Sequence, residues 1–198
     1  MNRPRVILAS TSVYRRNLLS RLNIPFETES PTTDERPLPE ESPEQLVHRL
    51  SAAKAQSIQS DYSNALIIGS DQVAVLDGDI LGKPGSQAAN IRQLSRAAGR
   101  RVTFLTGLCL LNTRTFRSET DIVPFSVVFR RLTPEQIENY VHRERPFDCA
   151  GGFKSERLGV ALFERMEGED PTALVGLPLI RLVTMLQRQG VDILGERI

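Results

Sequence analysis

The stretch ALIIGSDQVAV, residues 65–75, followed by GKP at 82–84, decides how the rest of the chain is read. Ala65, Leu66, Ile67 and Ile68 form an apolar run bounded by glycine, the signature of a strand buried on both faces. Gly69 and Ser70 are expected to break that strand and leave a carboxylate, Asp71, at its end. Asp77-Gly78-Asp79 reads as a hairpin turn between 73–76 and 80–81. The hairpin would return Lys83 towards Asp71. An acid at a strand terminus with a lysine on a nearby loop suits a metal ion and an anionic substrate. The same pair also fits an aspartate in a turn and a lysine in solvent.

Working towards the N-terminus, residues 6–9 (VILA) form a second apolar strand. Ser10-Thr11-Ser12 ends it, and Ser10 or Ser12 can cap a helix with Leu18, Leu19 and Leu22 on its apolar side. Tyr14, Arg15 and Arg16 fall in its first turn. Backbone N–H groups, hydroxyls and arginines then meet at one point, which suits a phosphate. The glycine pattern of a P-loop is missing, and an ordinary cap with solvated arginines fits equally well. Residues 26–30 alternate as a short strand, and the proline-rich loop 31–39 carries the adjacent acids Asp34 and Glu35. Ser42-Pro43-Glu44-Gln45 opens a helix through a capping box and runs to about Gln59. Lys54 lies within that helix, where a lysine is normally exposed.

Towards the C-terminus, helices are expected over 87–98 and 133–143, and a final amphipathic one over 179–189. Strands are expected over 101–112, 116–129 and 162–168. Val123-Pro124 marks an edge or a bulge in the second of these. In the loop Asp148-Cys149-Ala150-Gly151-Gly152-Phe153-Lys154-Ser155-Glu156, the glycines permit close backbone approach to a ligand. Asp170-Pro171-Thr172-Ala173 reads as a turn. Alternating strands and helices point to an α/β domain with a mixed sheet.

The 198 residues, 40% hydrophobic and 25% charged, suffice for one domain with a core of its own. Twenty-five basic side chains stand against 24 acidic ones, for a net charge of +1, and this balance argues against a broad nucleic-acid surface. Arg100-Arg101 and Arg130-Arg131 read as solvated faces. Cys109 and Cys149 make no CxxC and no metal cluster with His48 and His142, so reduced thiols are expected. No apolar run reaches the roughly 18 residues of a membrane span, and 6–9 is too short for a signal-peptide core. A cytoplasmic protein follows from this as an expectation.

Eight segments match one pattern in order: Leu8-Ala9-Ser10-Thr11-Ser12 with Arg15-Arg16; Asp34-Glu35; Lys54-Ala55; Gly69-Ser70-Asp71-Gln72; Gly82-Lys83-Pro84; Thr106-Gly107; Ala150-Gly151; and Val175-Gly176-Leu177-Pro178. Together they make the chain resemble the Maf family of nucleoside triphosphate pyrophosphatases. The resemblance implies a single two-lobed Maf/inosine-triphosphatase-like α/β domain over 1–198. It also implies a central mixed, twisted sheet flanked by helices, a cleft between the lobes, and a homodimer. The implied reaction is hydrolysis between the α- and β-phosphates with a divalent metal, Mg2+ or Mn2+. Asp71 then matches the family's proton acceptor, and Ser10, Arg15, Lys54 and Lys83 match phosphate-binding residues. Glu35 and Asp71 become candidate metal ligands.

Within the family, a dTTP/UTP branch carries Lys before the Ala-Gly pair and Gln a few residues later. This chain has Cys149 and Glu156 there. It resembles instead the YceF-type branch that acts on 7-methyl-GTP, with Tyr14, Gln72 and Glu156 at the positions that set specificity. A guanine edge offers two adjacent N–H donors to a carboxylate such as Glu156. An N7-methylated base is cationic and is attracted to an aromatic face such as Tyr14. The chain departs from that branch in having Tyr14 for Trp, Val13 for Pro and Gly152 for Ser. The alternatives are a dTTP/UTP pyrophosphatase of the same family and a nucleotide-binding regulator of septum formation.

Overall fold

The computed structural model describes residues 3–195. The chain divides into two compact units. Among the described residues, the first holds those up to Asp71, then Thr106–Val123, then those from Asp170; the second holds Gln72–Leu105 and Pro124–Glu169. The strands are β1 (Arg5–Ala9), β2 (Glu27–Glu29), β3 (Ala65–Leu76), β4 (Asp79–Leu81), β5 (Arg101–Asn112), β6 (Arg117–Phe129) and β7 (Phe163–Gly168). They form one seven-stranded sheet in the order β2-β1-β3-β5-β6-β7, with β4 paired to β3. The sheet is mixed: β1 runs parallel to β2 and β3, whereas β3–β4 and β6–β7 are antiparallel.

In the first unit, successive residues of each strand feed opposite faces. Val6 and Leu8, Leu66 and Ile68, and Leu108 and Leu110 pack with helix α1 (Val13–Leu19) and helix α5 (Leu179–Arg188). Ile7 and Ala9, Ala65 and Ile67, and Cys109 and Leu111 pack with helix α2 (Pro43–Gln56), through Ala55 and the adjoining Ile58. A strand covered on both faces must be apolar at every position, and this explains the unbroken apolar runs. The helix starts follow from local chemistry. Ser12 caps α1, and Ser42 with Gln45 forms the reciprocal capping box of α2.

In the second unit, helix α3 (Gln87–Ala97) packs against helix α4 (Pro134–Glu144), which opens on a capping box of Thr133 and Gln136. Phe104, Phe129, Phe153 and Phe163 meet edge to face, with centroids 4.8 to 5.7 Å apart. Such pairs contribute about 0.5–1.5 kcal/mol each beyond the area they bury.

One expectation changes. Gly69 and Ser70 do not break their strand: β3 continues to Leu76, so Asp71 lies mid-strand. Neither residue has a positive φ, and the extended backbone runs through them. Pro124 stands just before the stretch of β6 that pairs with β7, which begins at Phe125, and a separate irregularity falls at Val128/Phe129. Gly151 and Gly152 have positive φ, of 75° and 72°, and protein side chains lie close to both. A Cβ on Gly151 would lie 2.8 Å from Phe104, and one on Gly152 would lie 2.2 Å from Asn90. No helix among the described residues is long and apolar enough to cross a membrane.

Candidate active site

The site in the first unit begins with two glycines that bring a helix onto the sheet. A Cβ on Gly69 would stand 2.1 Å from the Ser51 carbonyl oxygen, and one on Gly107 would stand 2.2 Å from the Val47 carbonyl oxygen. Only hydrogen fits at either place, so the α2 backbone rests directly on β3 and β5. Asp71 is two residues beyond Gly69 and shares its face; Lys54 is one turn beyond Ser51. The two side chains meet. Lys54 Nζ donates to Asp71 Oδ1 at 2.6 Å and also pairs with Glu35 Oε1 at 2.7 Å. Lys54 is only 5% exposed and Asp71 8%, so the lysine expected in solvent is buried instead. Glu35 reaches the same ammonium from its loop with 61% of its side chain exposed.

Loop 31–41 is braced from α2. Arg49 grips Glu41 through Nε and a terminal nitrogen, at 2.6 and 2.7 Å, and donates to the Arg36 carbonyl at 3.1 Å. That grip holds the Glu41 carboxyl down at about 2. Arg36 also pairs with Asp34, the acid next to Glu35. Asp34 is thereby turned to its own neighbour while Glu35 points at Lys54.

A second cluster forms where β1 ends. The parallel register pairs Ala9 with Gly69, which sets the Ser10–Ser12 turn alongside Ser70 and Asp71. The buried Ser10 hydroxyl accepts from the Ser12 N–H at 3.1 Å, and the Ser12 hydroxyl accepts from the Arg15 N–H at 3.4 Å. Arg15 Nε donates to the Gly176 carbonyl at 2.8 Å, and the Ser70 hydroxyl donates to the same oxygen at 2.8 Å. Burial lowers the basicity of Arg15, while the charges of Asp71 and Glu35 pull it back up. Arg15 therefore feels the same two carboxylates that Lys54 binds. Tyr14 is the next residue of α1 and is half-buried.

The remaining expected residues belong to the second unit. Gln72 is half-buried on β3. The hairpin forms as read, pairing Ala74 with Leu81, and Lys83 follows that last pair by two residues, exposed. Glu156 is exposed and accepts from the Ser155 hydroxyl at 3.3 Å. Its loop is anchored where the Lys154 N–H donates to Tyr140 Oη at 3.1 Å.

Reasoning from sequence missed Asp170. Read only as a turn, it is 2% exposed and accepts from the Thr172 N–H and hydroxyl and from the Ile180 N–H. Asp-Pro-Thr signals the local part of this arrangement. Nothing local signals the reach to Ile180.

The donor set fits a hard divalent ion. Asp71 and Glu35 aim one oxygen each at a single cationic centre, and a magnesium-type ion needs only one or two carboxylates, with water and substrate phosphate completing its shell. Among the described residues, no three His, Cys, Asp or Glu side chains gather into a closed metal cage.

Comparison with known proteins bears on the whole chain. A protein from Pseudomonas aeruginosa named 7-methyl-GTP pyrophosphatase is 58% identical over 190 residues, covering 96% of this chain and 99% of its own. One of the same name from Nitrosococcus oceani is 52% identical over 191 residues, covering 96% of both. Among solved structures, the Ham1 protein of Staphylococcus aureus superposes with a TM-score of 0.53 at 13% identity, covering 94% of this chain and 100% of that one. A HAM1 protein from Coxiella burnetii gives 0.53 at 12% identity, covering 93% and 99%. At such identities these two speak to the fold alone. The model of the Maf-like protein family matches residues 5–189, and with relatives above half identity over nearly the full length, the chain belongs to the Maf family.

Proposed function

We propose that this protein is a nucleotide pyrophosphatase that hydrolyses 7-methyl-GTP to 7-methyl-GMP and pyrophosphate, clearing a modified nucleotide before it enters nucleic acid. The observation that carries the reading is Lys54, held in the interior between Asp71 and Glu35 with Arg15 close by. A lone structural ion pair needs one acid; two acids and two cations at one point suit a polyanion and the water that attacks it.

The barrier to this hydrolysis is electrostatic, because a triphosphate repels an incoming water. Lys54, Lys83 and Arg15 offset that charge, and the planar guanidinium of Arg15 can grip one phosphate with two parallel hydrogen bonds. The Ser10 hydroxyl adds a neutral donor. Asp71 accepts the proton of the attacking water, as a fixed general base. A divalent ion, Mg2+ or Mn2+, held by Asp71 and Glu35 would stabilise charge on the phosphoryl oxygens when bound. For the base, Glu156 accepts the two N–H donors of a guanine edge. Tyr14 offers its face to the cationic methylated ring, a contact of about 0.5–2 kcal/mol. Gln72 completes the specificity set.

The test is pyrophosphate release with magnesium or manganese from 7-methyl-GTP, GTP, dTTP, UTP, CTP and ATP. Preference for 7-methyl-GTP is expected. Preference for dTTP or UTP would overturn the roles of Tyr14, Gln72 and Glu156, and inactivity on all six would refute the enzymatic reading. Asp71→Asn is expected to remove most of kcat, and a variant as active as the parent would refute the role of Asp71.

A further inference from the structure

We infer that Asp170 is a positioning residue for Arg15, acting through the turn that carries Gly176; this rests on the reading of Arg15 as a phosphate-holding group. Asp170 is a buried carboxylate, and among the described residues its hydrogen-bond partners include no cationic side chain. Instead it accepts three donors: the Thr172 N–H at 3.0 Å, the Thr172 hydroxyl at 2.6 Å and the Ile180 N–H at 2.8 Å. The Thr172 hydroxyl in turn accepts from the Leu179 N–H at 2.8 Å. Asp170 and Thr172 thus satisfy the first two N–H groups of α5 from outside the helix, where Pro178 offers no capping side chain. A negative charge is also favoured at that end of a helix.

These bonds clamp both ends of one short segment. The turn Pro171–Val175 begins at Asp170 and ends at Gly176, whose φ of 104° closes it. Its middle is tied down as well, by the Thr106 hydroxyl donating to the Ala173 carbonyl at 2.9 Å. What the segment delivers is the Gly176 carbonyl oxygen, held towards the Arg15 Nε and the Ser70 hydroxyl. A guanidinium bonded through Nε is restrained in its orientation, so the placement of its terminal nitrogens depends on the position of that one oxygen. Small errors there matter, because the arginine must meet a phosphate in two bonds at once. Asp170→Asn keeps the shape but substitutes an NH2 for one of the acceptor oxygens, and thereby faces donor with donor.

The experiment is a double-mutant cycle in kcat/KM for 7-methyl-GTP on the full chain: parent, Asp170→Asn, Arg15→Ala and the double variant. Asp170→Asn is expected to lower kcat/KM about tenfold or more in the parent. In the Arg15→Ala background it is expected to change it less than about twofold, because the group it positions is gone. The same factor in both backgrounds would mean that Asp170 acts on the fold at large, and would overturn the proposal. If Asp170→Asn fails to fold, Thr172→Val probes the same clamp and is expected to behave identically in the cycle. Thr172→Ser, which keeps the hydroxyl, is expected to restore the activity that Thr172→Val loses; no restoration would also overturn the proposal. An Arg15→Ala protein as active as the parent would refute the phosphate-holding role itself, and the proposal would fall with it.

Discussion

Lys54→Met separates the two acids that share this lysine. Methionine fills nearly the same volume, so no large cavity opens and the change is chiefly electrostatic. Lys54 and Asp71 are 5% and 8% exposed and 2.6 Å apart, so removing the ammonium leaves the buried Asp71 carboxylate without its hydrogen-bonded cation. Breaking a buried pair on one side costs about 3–5 kcal/mol. For a chain of this size, that lowers the thermal midpoint by roughly 6–20 °C. Glu35 shares the lysine but keeps 61% of its side chain in water, so Glu35→Gln is expected to cost less than about 1 kcal/mol. Adding Asp71→Asn to Lys54→Met removes the Asp71 charge and is expected to recover about 2 kcal/mol or more of the loss. The assay is urea and thermal unfolding at pH 7 with a chelator and without nucleotide, so that no ligand contributes to stability. If the double variant shows the plain sum of the two single losses, within about 0.5 kcal/mol, the pair does not carry this charge and the reasoning fails.

Two further outcomes follow from the same geometry. Gly69→Ala puts a Cβ 2.1 Å from the Ser51 carbonyl, so α2 must lift away from β3; a loss of about 1–3 kcal/mol is expected, with a fall in kcat from the displaced Lys54. Unchanged unfolding and unchanged turnover would show that the close approach is not required. Glu41 is held at about 2 by its hydrogen bonds to Arg49, against an ordinary 4.5, so its contribution to stability is complete above 4.5 and is lost as pH falls towards 2. The midpoint difference between parent and Glu41→Gln is expected to shrink over that window; a constant difference from pH 6 to 2 would contradict the assignment.

Several elements were legible because the signal is local. Ser42-Pro43-Glu44-Gln45 and Thr133-Pro134-Glu135-Gln136 satisfy their own backbone donors, so both helices begin where the capping boxes stand. Asp77-Gly78-Asp79 likewise carries its own turn geometry, and the hairpin forms there. The Gly69-Ser70 pair misled because a glycine in a sequence can mark either a break or a close approach. Which one it is depends on the Ser51 carbonyl, which lies on another element. The glycines at 151 and 152 also answer to packing: a Cβ there would meet Phe104 and Asn90, which lie far from them in sequence.

By itself the sequence determined the strand and helix order and the apolar runs that must be covered on both faces. These depend on period, capping and side-chain chemistry, which each segment holds within a few residues. Only the tertiary structure decided that Lys54 is buried rather than solvated, that Glu35 and not Asp34 reaches it, and that Asp170 clamps the turn on which Arg15 leans. Each of those is a meeting of residues 10 to more than 150 positions apart, and a bond between them exists only once packing has fixed where both ends stand.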